Sequence, residues 1–165
     1  MKKLDILIIP TGPSFEEDQE RTERALQEKP KYFMISGIQN SMVEMHIVNT
    51  YSLSQIFQIY KNLKKKHIPP SKMLISKGHN SEGNIYESFS KINNLFKGNE
   101  KLNVGIVSYP SHLNRFNKIY KNMTSDGRIE KTHNFYRVET DQTFNESVYE
   151  IAYKIISGIR FIRYG

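Results

Sequence analysis

The chain has 165 residues, 38% apolar and 25% charged, with no cysteine and a formal net charge of +7. This balance fits one globular domain and argues against disorder. The missing cysteines exclude disulfides, thiolate catalysis and Cys-ligated zinc and fit a reducing compartment, while the charge favours anionic partners.

The first predicted strand, Leu4–Ile9, follows Met1-Lys2-Lys3 and superficially resembles a secretion signal. Its unbroken apolar run is only Ile6 to Ile9, short of the roughly 7–15 residues a signal needs and the roughly 20 a membrane span needs. The expectation is a cytoplasmic protein whose first element is a core strand, ending in Pro10-Thr11-Gly12-Pro13-Ser14. A very polar helix, Glu16–Glu28, carries Arg21 and Arg24, where pairing to Glu one turn away is expected. Arg24 is assigned to the surface. The second strand, Lys31–Ser36, ends in Ser36-Gly37.

Gly37 to Thr50 is longer than a usual strand-to-helix loop and has room for a short strand (Val43 to Val48) or a cover over the site. Helix Ser52–Lys66 ends in Lys64-Lys65-Lys66, where cations suit the helix dipole. The remaining basic residues are scattered, so this run reads as a solvated helix end rather than a nucleic-acid patch.

The third strand, Lys72–Ser76, leads into Lys77-Gly78-His79-Asn80-Ser81 and helix Gly83–Phe96, whose Ile85, Phe89, Ile92 and Phe96 keep the 3.6-residue spacing. The fourth, Asn103–Ser108, runs into Tyr109-Pro110-Ser111-His112 and helix Ser111–Asn122, with Pro at a helix start because its missing N–H is not needed there. A weakly patterned edge strand, Lys131–Val138, and helix Gln142–Arg160, with Val148, Ile151, Ile155 and Ile159 in register, complete the order. Alternating strands and helices predict an α/β, Rossmann-like three-layer sandwich around a mainly parallel five-stranded sheet, as a single domain over 1–165.

In such sheets the crevice at the carboxyl edge is where ligands bind. Thr11, Gly12, Ser36, Gly37, His79, Asn80, Ser81, Asn84 and Ser108 fall at strand ends or helix starts there, with Arg21 and Arg115 able to lean in and His112 in a first turn. Hydroxyls and helix-start N–H groups hold oxyanions, and Arg pairs with phosphate or carboxylate through a planar fork. Several residues carry a second reading: Asn80 and Ser81 as a helix cap, the glycines as turn formers, and Ser108 as a partner for backbone groups. His112 at the positive end of a dipole is biased towards neutral, which suits a hydrogen-bond donor, a general base or a purely structural ring. His46, His67 and His133 have no supporting neighbours in sequence. Carboxylates are scarce along the inferred edge, leaving Glu82, Glu139 and Asp141, so a protein-only metal site is not expected. Phosphate-loop, dinucleotide, nucleophile-elbow and zinc-helix motifs are all absent.

These segments together resemble the YdcF-like family, which includes the SanA and ElyC envelope proteins. The likeness runs from Asp5 to Lys121 in the family's order. It rests on Ile6 to Gly12, Arg21 with Ala25-Leu26, Phe33 to Gly37, Asn80 to Asn84, and Ser108 with His112 and Arg115. Three positions depart from the pattern: Thr11-Gly12-Pro13 replaces a Gly-rich turn, Gly83 an acidic residue, and Ile38 a second glycine. A membrane anchor like that of the SanA-like and ElyC-like members is not expected here.

The resemblance implies a Rossmann-like fold with a polar pocket at the carboxyl edge and no particular reaction. The leading expectation is therefore binding of a nucleotide-like or phosphorylated small molecule, with His112 as the catalytic candidate if phosphoryl or sugar-phosphate chemistry occurs there. The alternative is a non-catalytic sensor for an adenosyl ligand such as S-adenosylmethionine. Weak nucleic-acid binding ranks third.

Overall fold

The computed structural model describes residues 3–12, 14–37, 49–78, 80–98 and 100–141, with 49–54 as backbone only. The expected extra strand at Val43–Val48, the helix at Gln142–Arg160, His46 and His79 lie outside these residues.

The alternating order holds throughout: β1 (Ile6–Pro10), α1 (Phe15–Glu28), β2 (Tyr32–Gly37), α2 (Asn49–Lys65), β3 (Met73–Lys77), α3 (Ser81–Leu95), β4 (Asn103–Ser108), α4 (Pro110–Ser125) and β5 (Asn134–Glu139). A 3-10 turn, Pro70–Lys72, leads into β3. The five strands lie in the order β3-β2-β1-β4-β5, and every pairing is parallel. This is the expected mixed α/β sandwich. β5 begins three residues later than expected, at Asn134, where the backbone N–H and C=O of His133 both meet the Tyr120 hydroxyl, at 2.8 and 3.0 Å, instead of a neighbouring strand; its ring accepts from Leu102 N–H at 3.2 Å and meets Asn93 at 2.8 Å. His133 is thus a buried structural tie, a role its sequence neighbours did not announce.

All five residues of β1 are buried, as a strand covered on both faces requires. Ile6 and Ile8 face α3 and α4, packing with Ile85, Phe89, Leu113 and Phe116. Leu7 and Ile9 face α1 and α2, packing with Ala25, Ile59 and Leu63. Each such side chain removed from water contributes about 1.5–3 kcal/mol before entropic costs. The apolar spacing of α3 follows the same logic, since Ile85, Phe89 and Ile92 are all fully buried.

The chain builds outward from β1 to β2 and β3, then crosses to β4 and β5 on the other side. The reversal falls between β1 and β4, so the turns after those strands flank the crevice at the carboxyl edge.

Candidate functional site

α1 opens on Ser14, whose side chain accepts from Glu17 N–H, and its first turn holds Glu16, Glu17 and Asp18. These acids answer the positive end of their own helix. α3 opens on Asn80, whose Oδ1 accepts from Gly83 N–H at 2.8 Å. The cap reading of Asn80 is therefore what the geometry shows. Asn80→Ala should cost about 1 kcal/mol in urea unfolding, and Asn80→Ser should recover most of it. α4 differs from both, because Pro110 stands at its start, no side chain caps it, and its first turn contains no acid.

His112 sits in that first turn, buried, with its ring 4.1 Å centroid to centroid from Phe116. Ser108 Oγ lies 3.1 Å from its Nδ1, and Ser81 Oγ 3.2 Å from its Nε2. Ser108 is wholly buried, whereas Ser81 is half-exposed. A Ser–His–Ser line thus joins β4, α4 and α3 and ends at a half-buried serine. The imidazole is held well below its ordinary pKa by burial first, then by the charges of Arg115 and Arg21. The neutral ring agrees with the direction read from the helix start, although burial is the larger cause.

Arg21 turns inward. It is almost fully buried, donates to Pro10 O at 3.0 Å and pairs with Glu17 at 3.4 Å. Its guanidinium also stands 5.8 Å from the Tyr109 ring, which neighbours His112 at 5.3 Å. Arg21 therefore shapes the turn after β1 and contributes charge from beneath. Arg24 pairs with Glu28 at 2.6 Å and donates to Glu139 O at 3.1 Å, both on the outer side. Arg115, half-buried one turn along α4, is near enough to act electrostatically on His112.

The other predicted residues form a second, tighter cluster. Thr11 N–H donates to Ser36 O at 2.8 Å, and Gly78 N–H to Gly37 O at 2.9 Å. Ser36 Oγ donates to Asn84 Oδ1 at 3.1 Å, and Ser88 bridges Ser36 and Ser76 at 3.3 and 2.7 Å. The close approaches at the glycines are made by the protein itself. A Cβ on Gly37 would lie 2.7 Å from Thr11, one on Gly12 2.9 Å from Glu17, and one on Gly78 2.2 Å from Asn84. These residues hold the strand ends and α3 together.

The carboxylate expectation needs correction. Glu17 and Asp18 are both buried beside the turn after β1, and Asp18 Oδ1 accepts from Gly12 N–H at 2.6 Å. Gln55 of α2 donates to Gly12 O at 2.8 Å, completing the clasp. Burial pushes the Asp18 carboxyl up to about 7, against the lowering effects of Gly12 N–H, Arg21 and Gln55. Its Oδ2 has no hydrogen-bond partner among the described residues. The other acids named from sequence lie outward: Glu82 pairs with Arg128 at 2.6 Å, Glu139 with Arg137 at 2.9 Å, and Asp141 is exposed. Among the described residues, no three His, Asp or Glu side chains are placed to hold a metal.

A cleft of about 590 Å³ opens beside the start of α3, bounded by Lys77, Gly78, Asn80, Tyr86 and Arg128. It takes in Gly78 and Asn80, but Arg21, Ser108 and His112 do not line it. The polar groups Arg21, Ser108 and His112 gather at the β1–β4 reversal instead, and that reversal is the candidate site. No helix among the described residues is long and apolar enough to cross a membrane. Neither a family model nor a curated protein matches the sequence.

Proposed function

We propose that this protein binds a nucleotide-like or otherwise phosphorylated small molecule at the carboxyl edge, in the polar pocket that its resemblance to the YdcF-like family implies. The observation that supports this best is the start of α4. An uncapped, acid-free helix N-terminus carrying neutral His112, with Arg115 one turn on, opens beside the point where the strand order reverses. Backbone N–H groups there favour an anion, and a neutral imidazole adds a directional donor or acceptor without demanding a counter-charge. Thr11, Gly12, Ser36, Gly37, Asn84 and Ser108 would serve as the floor that fixes the loops and the His112 ring, with Asn80, Ser81 and Arg115 nearer the ligand.

A second reading, a sensor that binds an adenosyl ligand such as S-adenosylmethionine without turnover, draws support from His112. Both of its ring nitrogens already meet hydroxyls within the protein. A thermal-shift panel of nucleotides, sugar phosphates and adenosyl compounds separates the readings by class. A ligand at 100 times its Kd should add about 2.7 kcal/mol of stability. Arg115→Ala should abolish the shift given by phosphorylated compounds, and a panel in which nothing stabilises the wild-type protein would overturn the site. Nucleic acid predicts instead a shift that falls steeply with salt.

A further inference from the structure

We propose that Ser81 is a nucleophile and His112 its general base, so that the site hydrolyses a phosphate monoester through a phosphoserine. The inference deepens the anion-site reading and rests on it.

Three observations carry it. Ser81 Oγ stands 3.2 Å from His112 Nε2, and a third group, Ser108 Oγ, holds the far nitrogen at 3.1 Å. Nucleophile, base and orienting group in hydrogen-bond series are the arrangement by which a hydroxyl is activated. Burial then distinguishes the two serines: Ser108 is sealed in the core at the end of β4, while Ser81 is only half-buried at the start of α3. Finally, Ser81 meets His112 from a separate helix, and His112 belongs to the first turn of α4, whose N–H groups face no side-chain cap and no acid of that turn. Those groups and Arg115 suit the equatorial oxygens of a phosphoryl group, whose transfer depends on positioning and charge stabilisation. Burial, with the charges of Arg115 of α4 and Arg21 of α1, keeps the ring neutral, so one ring nitrogen carries a lone pair that can take a proton, although the same causes weaken it as a base.

In the tautomer required, His112 Nδ1–H donates to Ser108 and Nε2 accepts from Ser81. Ser81 Oγ bonds to phosphorus as the bond to the leaving oxygen breaks. The Ser81 proton passes to Nε2 and on to that oxygen, which departs as an alcohol. Water then attacks the phosphoserine, its proton returning through Nε2 to Ser81 Oγ as inorganic phosphate leaves. Ser108 is a positioning residue in this scheme.

A fluorophosphonate probe on the full chain, with the adduct located by mass spectrometry, tests the assignment. Wild-type protein should be labelled at Ser81, Ser81→Ala not at all, and His112→Gln at least about 100-fold more slowly. His112→Gln keeps a polar group facing Ser81, and its thermal transition shows that the fold persists. Ser108→Ala should slow labelling and Ser108→Thr, which keeps the hydroxyl, should restore it; a packing role would make the bulkier threonine the worse of the two. No adduct on folded wild-type protein, an adduct on another residue, or an unchanged rate in His112→Gln would overturn the proposal. Stabilisation by phosphorylated compounds in an unlabelled protein would leave the binding reading intact, whereas loss of both removes the site.

Discussion

Gly78→Ala is expected to destabilise the protein by about 3 kcal/mol, measured by urea unfolding, and to disturb the site as it does so. A methyl group there would lie 2.2 Å from Asn84 Oδ1, 2.5 Å from Asn84 N and 2.6 Å from its Cα. Among the described glycines this is the one whose added carbon meets backbone at such range. A side chain can rotate away; the first turn of a helix can yield only by moving. Asn84 is buried and holds Ser36, so α3 would have to lift from β2 and carry Ser81 away from His112. The stiffer unfolded chain of the alanine variant returns at most about 1 kcal/mol. Gly37→Ala is the control, because its added methyl meets mainly the side chains of Thr11 and Ile56. Equal stability of the two variants would show that α3 is not seated on Gly78.

Asp18→Asn should make the protein more stable at pH 8 by up to about 4 kcal/mol, with little effect near pH 4. The unfolded carboxyl loses its proton near 3.8, whereas the buried one keeps it to about 7. Between those values the folded state binds the extra proton, so the wild-type protein loses stability as pH rises, and the loss is complete above the folded value. Asparagine keeps an oxygen for Gly12 N–H and never ionises. His133, pushed down to about 4 by burial and by Lys131, works in the opposite sense below its ordinary 6.5. Subtracting wild type from variant at each pH removes that contribution. A difference that stays flat from pH 4 to 8 would show that Asp18 is ionised in the fold.

Much of the architecture was legible because its signals are local. The run Ile6 to Ile9, the spacing of Ile85, Phe89 and Ile92, and Pro110 at a helix start each report an element directly. The site was legible as a set of strand ends, since an alternating fold sends those to one edge whatever the side chains do. What sequence did not disclose is direction. α1 reads as polar throughout, with Arg24 assigned to the surface, Arg21 expected to lean into the crevice and no burial expected for its acids, yet Glu17, Asp18, Arg21 and Thr22 are all buried. Their one visible signal is spacing: Asp18, Arg21, Thr22 and Ala25 recur at three and four residues, a core stripe written in polar residues. Similarly, the glycines announced close approach without saying to what, and Ser81 and Ser108 gave no sign that one histidine would meet both.

The division of the sheet's two faces also bears on how the chain emerges during translation. By the time β3 has been made, α1 and α2 can cover Leu7, Ile9, Phe33 and Ile35 on one face. Ile6, Ile8 and Met34 on the other wait for α3 and α4, and the free edge of β1 waits for Val104 to pair with Ile6. Contacts so distant in sequence form late, and until then the nascent half is an open-faced sandwich with a sticky underside. The first half should therefore be a client for a holdase chaperone when released alone, and should regain solubility when the second half is supplied in trans.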